Sequence, residues 1–95
     1  MQVLRLWVYP MVSPSSSPFP LTVASSVKHR RVLGENIRNT RKLAGLSQEK
    51  LAEKAELNPA YVSDVERGTE NISVDALIRI SEALDTTVHN LTRGI

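Results

Sequence analysis

Residues Leu46 to Gly68 read LSQEKLAEKAELNPAYVSDVERG, two short amphipathic runs separated by a tight break. In the first run Leu51, Ala52 and Ala55 fall on one helical face, while Gln48, Glu49, Lys50, Glu53 and Lys54 cover the others. Ser47 stands where an N-cap belongs, its hydroxyl placed to accept an otherwise unpaired amide of the first turn. The second run has Asn58 as its N-cap and Pro59 pre-set for the first helical position. Val62 and Val65 face inward, and Gly68 is able to stop the helix. Two helices joined so closely, each with one apolar face, form a helix-turn-helix layout, of which DNA reading is one use.

Helices of roughly three turns or fewer do not persist alone in water, because nucleation costs more than a few hydrogen bonds return. The flanks supply partners. Leu33, Ile37 and Ala44 are placed on one face of a preceding helix, and Val74, Leu77, Ile78, Ile80 and Leu84 on a following one. A very short fifth helix is expected from Val88 to about Leu91, capped by Thr87, with Leu91 turned inward. Leu, Ala, Val and Ile dominate over aromatics, and no repeat recurs. The expected fold is therefore all-α, a compact five-helix bundle.

The stretch from about Leu33 to Leu91 resembles the helix-turn-helix domain of phage Cro and lambda-type repressors, the xenobiotic response element family. The residues that carry the likeness are Arg41, Leu46-Ser47-Gln48 with Leu51-Ala52, Tyr61-Val62-Ser63 and Glu66-Arg67-Gly68. The run Tyr61 to Gly68 followed by Asn71-Ile72-Ser73 looks most like restriction-modification controller proteins and small autoregulatory repressors.

The resemblance implies a sequence-specific transcriptional regulator that binds operator DNA as a dimer, with the helix near 59–67 in the major groove. By position, Gln48 is similar to the family glutamine that holds a phosphate, helped by the positive end of its helix. Arg41, Lys42 and Tyr61 are further phosphate candidates, and Arg41 has a structural alternative in which it pairs with Glu66. Among the groove-facing positions Asn58, Pro59, Ala60, Ser63 and Asp64, neither Pro59 nor Ala60 can hydrogen-bond a base through its side chain. Ala60 can touch a thymine methyl, Ser63 can donate or accept, and Asp64 can accept from a cytosine amine or repel phosphate. Direct readout is therefore sparse, and specificity is expected to come partly from DNA shape, or from Arg side chains of the Lys28 to Arg31 segment entering a minor groove. Two departures from the family pattern are Lys50, where an acid would complete a capping box, and Glu56, where glycine is common. A left-handed Glu56 would be strained by roughly 1 kcal/mol. Dimer half-sites would lie about one helical turn, roughly 34 Å, apart, with Leu84, Val88, Leu91 and Ile95 as surface candidates that are equally suited to the core.

Net charge is only +2 over 95 residues, but it is unevenly placed. Lys28, Arg30, Arg31, Arg38, Arg41 and Lys42 face Glu35 alone, whereas from Glu56 onward seven acids outnumber Arg67, Arg79 and Arg93. One end of the domain is thus suited to phosphates. There is no cysteine, hence no disulfide framework or thiolate metal site, which suits the cytoplasm.

Residues 1–27 differ in kind from the domain at 28–95. An apolar start from Val3 to Val12 leads into a Ser/Pro-rich stretch, and prolines at 10, 14, 18 and 20 favour an extended, disordered extension over a helix. A secretory signal is the rival, with Arg5 as a poor basic region and an apolar run broken by proline. Arg30-Arg31 precedes no apolar core, so a twin-arginine signal fails, and no apolar run is long enough to span a membrane. An unstructured extension or an upstream start codon is preferred.

Two other classes compete with DNA regulation. An antitoxin-like subunit would bind a partner protein, with or without DNA, through the tail; sparse base-reading chemistry at Pro59 and Ala60 favours it. An enzyme fares badly, since His29, assigned to the tail, and His89, assigned to a solvated helix face, stand alone without a phosphate loop or paired carboxylates. No cofactor or metal is expected. With no ligand domain after Ile95 in this sequence, control is expected through protein concentration or a partner.

Overall fold

Ser47, Asn58, Ser73 and Thr87 each begin a helix by accepting an amide of its first turn. The acceptors are Ser47 Oγ from Lys50 N at 3.0 Å, Asn58 Oδ1 from Ala60 N at 2.7 Å, Ser73 Oγ from Ala76 N at 3.1 Å and Thr87 Oγ1 from Asn90 N at 3.1 Å. The computed structural model describes the backbone of residues 19–95 and the side chains from residue 27 onward. Its helices are α1 (Phe19–Leu43), α2 (Gln48–Ala55), α3 (Pro59–Arg67), α4 (Val74–Ala83) and α5 (Val88–Leu91). The all-α, five-helix expectation and the capping of α2, α3 and α5 are met.

The helix ends are equally local in origin. After α3, Gly68 takes φ 78°, and the amides of Gly68 and Thr69 return to the carbonyls of Val65 and Asp64 at 3.0 Å each. After α2, Glu56 performs the same turn at φ 58°, ψ 46°, the left-handed conformation anticipated at that position. Leu57 N then reaches Ala52 O at 2.8 Å.

One core joins the five helices. Leu33 and Ile37 come from α1, Leu51, Ala52 and Ala55 from α2, Val62 and Val65 from α3, Ala76 and Ile80 from α4, Leu84 from its cap, and Leu91 from α5. Ile37, Leu51, Val62, Ile80 and Leu91 are fully buried, each contributing about 1.5–3 kcal/mol of transfer free energy. That burial is what holds helices of eight and nine residues together. Crossing of α1 over α3 is unusually close: a Cβ on Gly34 would lie 2.4 Å from Val65 O and 2.6 Å from Glu66 O. Asn36 ties α5 to α1, its Nδ2 donating to Leu91 O and Arg93 O at 2.8 Å each.

Several sequence expectations are corrected. Ala44 is exposed, in the turn after α1, and the inward position one turn past Ile37 belongs to Arg41. Val74 and Ile78 are 71% and 41% exposed, because the inward stripe of α4 runs through Ala76, Ile80 and Leu84. Leu84 and Leu91 are core and offer no dimer surface, whereas Val88 is half-buried and Ile95 exposed. His29 lies in α1, not in a tail, while His89 is exposed as expected. Bounded at Phe19, α1 reaches further back than the sequence reading placed it, with Pro20 in its first turn, where the missing amide hydrogen is not needed. The disorder expected of the N-terminal extension lies, for residues 1–18, outside the described residues.

Candidate nucleic-acid interface

The α2–turn–α3 unit is fixed from behind by a buried ion pair. Arg41, on α1, donates from Nε to Glu66 Oε2 at 2.6 Å and from Nη2 to Glu66 Oε1 at 3.1 Å. Its Nη1 donates to Leu46 O, just before α2, at 2.8 Å. One guanidinium thus joins α1, the entry to α2 and the end of α3, and the Glu66 side chain is only 2% exposed. Hydrogen bonding to Glu66 raises the Arg41 pKa above its ordinary value; burial opposes it, and attraction to Glu66 and Glu49 adds to it. The contribution of a group so raised is complete below its ordinary pKa and disappears only as pH climbs through the raised one. The clamp is therefore constant across all neutral conditions.

Gln48 completes this arrangement. Its Nε2 donates to Glu66 Oε1 at 2.9 Å, so the side chain is half-buried and oriented rather than free. An amide nitrogen carries two hydrogens. One is held by Glu66, leaving the second at the N-terminus of α2, beside backbone amides that the helix leaves unpaired. The structure therefore brings Arg41 and Gln48 together through a carboxylate, and the sequence-expected Arg41–Glu66 pair is present. Lys42 is exposed and separate from it.

On α3, Pro59 and Ala60 are exposed at the first turn, and Asn58 has its side-chain oxygen engaged as the cap. Tyr61 is half-buried, its hydroxyl accepting from Ser73 N at 3.3 Å, which fixes the ring against the entry to α4. Ser63 and Asp64 share a partner that the sequence reading left out: Arg67 donates to Ser63 Oγ at 2.9 Å and forms an ion pair with Asp64. Asp64 thus has a cation beside it on the same face of α3. Its spacing, three and four residues before Arg67, was the available signal. Among the described residues, no group of His, Asp and Glu is arranged to hold a metal ion.

A short two-helix unit clamped onto a third helix, with the first turn of α3 open to solvent, is a helix-turn-helix, the unit with which a class of transcriptional regulators contacts DNA. The chain belongs to the helix-turn-helix family, whose model matches residues 37–91. It is 40% identical over 62 residues to the control protein C.SmaI of Serratia marcescens, spanning 65% of this chain and 74% of that one. With the control protein C.BamHI of Bacillus amyloliquefaciens it shares 45% identity over 56 residues, spanning 58% and 69% of the two chains. The solved restriction-modification controller protein C.AhdI of Aeromonas hydrophila superposes with a TM-score of 0.64 at 37% identity, covering 65% of this chain and 94% of the other. SinR, solved in complex with SinI, superposes at 0.63 with 38% identity, covering 65% of this chain and 61% of that one. No helix among the described residues is long and apolar enough to cross a membrane.

Proposed function

We propose that this chain is a cytoplasmic regulator that binds operator DNA as a two-fold dimer and controls its own transcription. In this reading α3 enters the major groove, and Gln48 at the α2 N-terminus takes a phosphate through the amide hydrogen that Glu66 leaves free. The observation that carries it is the Arg41–Glu66–Gln48 chain of hydrogen bonds, which orients a phosphate donor at the start of α2, next in the chain to an α3 whose Pro59 and Ala60 are exposed and whose Ser63 and Asp64 are half-buried. Tyr61 and Lys42 are assigned to the neighbouring backbone, and Asn58 to aligning the first turn of α3. Likeness to control proteins and to HTH-type transcriptional regulators supports the regulatory part. The dimer is supported by exposed apolar side chains at Val74, Ile78 and Ile95 and by the small footprint of one such domain.

The test is a salt-dependent titration of the full chain against the DNA just upstream of its own coding region, with shuffled DNA as control. Preference of about 10³-fold or more, lost in Gln48→Ala with Ser63→Ala, is the expected result. Equal, weak, salt-sensitive binding to both duplexes refutes it and favours the second reading, an antitoxin-like subunit that binds a partner protein. That reading draws on the same exposed Val74, Ile78 and Ile95 and on the absence of hydrogen-bonding side chains at Pro59 and Ala60.

A further inference from the structure

Because α1 is continuous through the basic segment, the cations fall into a register that the sequence alone left open. Lys28, Arg31, Arg38 and Lys42 follow one another at spacings of three, seven and four residues, which places them along one side of the helix. All four are exposed, and none pairs with a carboxylate among the described residues. Glu35 is the single acid within the stripe, and it too makes no ion pair among the described residues.

The stripe has a definite orientation in the bundle. One flank of α1 carries Asn36 and Thr40 and faces α5, where they line a cleft with Thr86, Asn90 and Arg93. The other flank carries α3. There Gly34 meets the carbonyls of Val65 and Glu66, and the Arg31 stem lies against Gly68, whose added Cβ would come within 2.7 Å of Arg31 Cγ. Arg31, Gly34, Arg38 and Arg41 form one ridge at steps of three and four residues, so the cations border the line of contact with α3. From Lys28 to Lys42 the stripe extends about 21 Å along the axis. That length matches roughly six base pairs of one phosphate strand at about 3.4 Å each.

We propose that this α1 stripe is a second DNA-contacting surface, which lies along the phosphate backbone of duplex flanking the half-site that α3 reads. The inference rests on the DNA-binding reading above, which already assigns Lys42 to the backbone, and adds to it a footprint of Lys28, Arg31 and Arg38 outside the helix-turn-helix. Lys28 and Arg31 precede residue 37, where the family match begins, so they extend the surface beyond the matched span. Counterion release makes the contact measurable, since each phosphate neutralised adds about 0.9 to the steepness with which log K falls against log salt concentration.

The experiment compares the full chain with a Lys28→Gln/Arg38→Gln variant, which leaves the Arg31–Gly68 packing untouched, on two duplexes. One carries only the bound site and the other adds about ten base pairs on each side. Wild type is expected to show the steeper salt dependence on the longer duplex. The variant loses up to about 1.8 from that slope per subunit and keeps its preference for the site over shuffled DNA. Adding Arg31→Gln removes up to about 0.9 more. An unchanged slope in both variants overturns the proposal, including the case in which the stripe serves an acidic protein surface instead. Failure of wild type to bind any duplex overturns the DNA reading and this proposal with it, whereas site-specific binding with an unchanged slope overturns this proposal alone.

Discussion

Removing the Glu66 carboxylate tests whether the clamp behind α2 and α3 is structural, functional or both. In Glu66→Ala the Arg41 guanidinium keeps its bond to Leu46 O at 2.8 Å but loses both partners on Glu66, and it remains in a site where its side chain is 10% exposed. A buried charge stripped of its partner destabilises by about 3–5 kcal/mol. A domain built from some 70 residues has about 4–10 kcal/mol in total. Glu66→Ala is therefore expected to remove a third or more of the stability, and a protein at the lower end would be largely unfolded at 25 °C. The reciprocal change, Arg41→Ala, should fall in the same range.

Replacing both partners separates the explanations. Arg41→Met with Glu66→Leu fills similar volume without charge, and such swaps are neutral or stabilising by about 1–4 kcal/mol. Urea unfolding followed by circular dichroism at 222 nm reads all the variants. The same double variant leaves the Gln48 amide without its acceptor on Glu66, so DNA affinity is expected to drop while stability is regained. A Glu66→Ala protein within about 1 kcal/mol of wild type would refute the reasoning, since that is the value of an exposed pair.

Three further outcomes are expected. Gly34→Ala gains about 1 kcal/mol of helix propensity, but its Cβ would sit 2.4 Å from a backbone carbonyl that has no side chain's freedom to move; net destabilisation of about 1–3 kcal/mol, read as a lowered Tm, follows. Glu56→Gly relieves a left-handed residue at φ 58° worth roughly 1–2 kcal/mol against about 0.4–1 kcal/mol of added unfolded-state entropy, so a raised urea midpoint is expected; Glu56→Ala should give none. Asn36→Leu orphans the carbonyls of Leu91 and Arg93 on the α5 side, and faster amide exchange confined to residues near α5 is expected before any global change.

What could be read from the chain follows the range of the interactions involved. Caps and stops were legible because Ser47, Asn58, Pro59 and Gly68 act on backbone groups within three or four residues, and each is found in that role. The inward faces of α2 and α3 were legible for the same reason. Faces of the flanking helices were less so. Apolar side chains alone assigned Val74 and Ile78 inward together with Ile80, but α4 buries the face that holds Ile80 with Ala76 and Ser81, a small and a polar residue whose burial depends on what packs opposite. Ala44 was misplaced since its position was taken by Arg41, a charge that only a partner 25 residues away makes tolerable.

Gly34 and Asn36 carried no signal at all. Their value lies in contacts with residues 31 and 55 positions away, the close carbonyls of α3 and the end of α5. The same limit applied to the interface. Gln48 could be placed at a helix start from sequence, yet its orientation depends on Glu66, 18 residues on, and so on Arg41 and the crossing of α1 over α3 at Gly34. This makes the geometry of the proposed DNA-facing surface a property of the α1–α3 packing rather than of the two short helices themselves. A substitution at Gly34 should accordingly alter Gln48 before it alters anything on the exposed face of α3, although Gly34 faces the back of α3 and offers DNA no side chain.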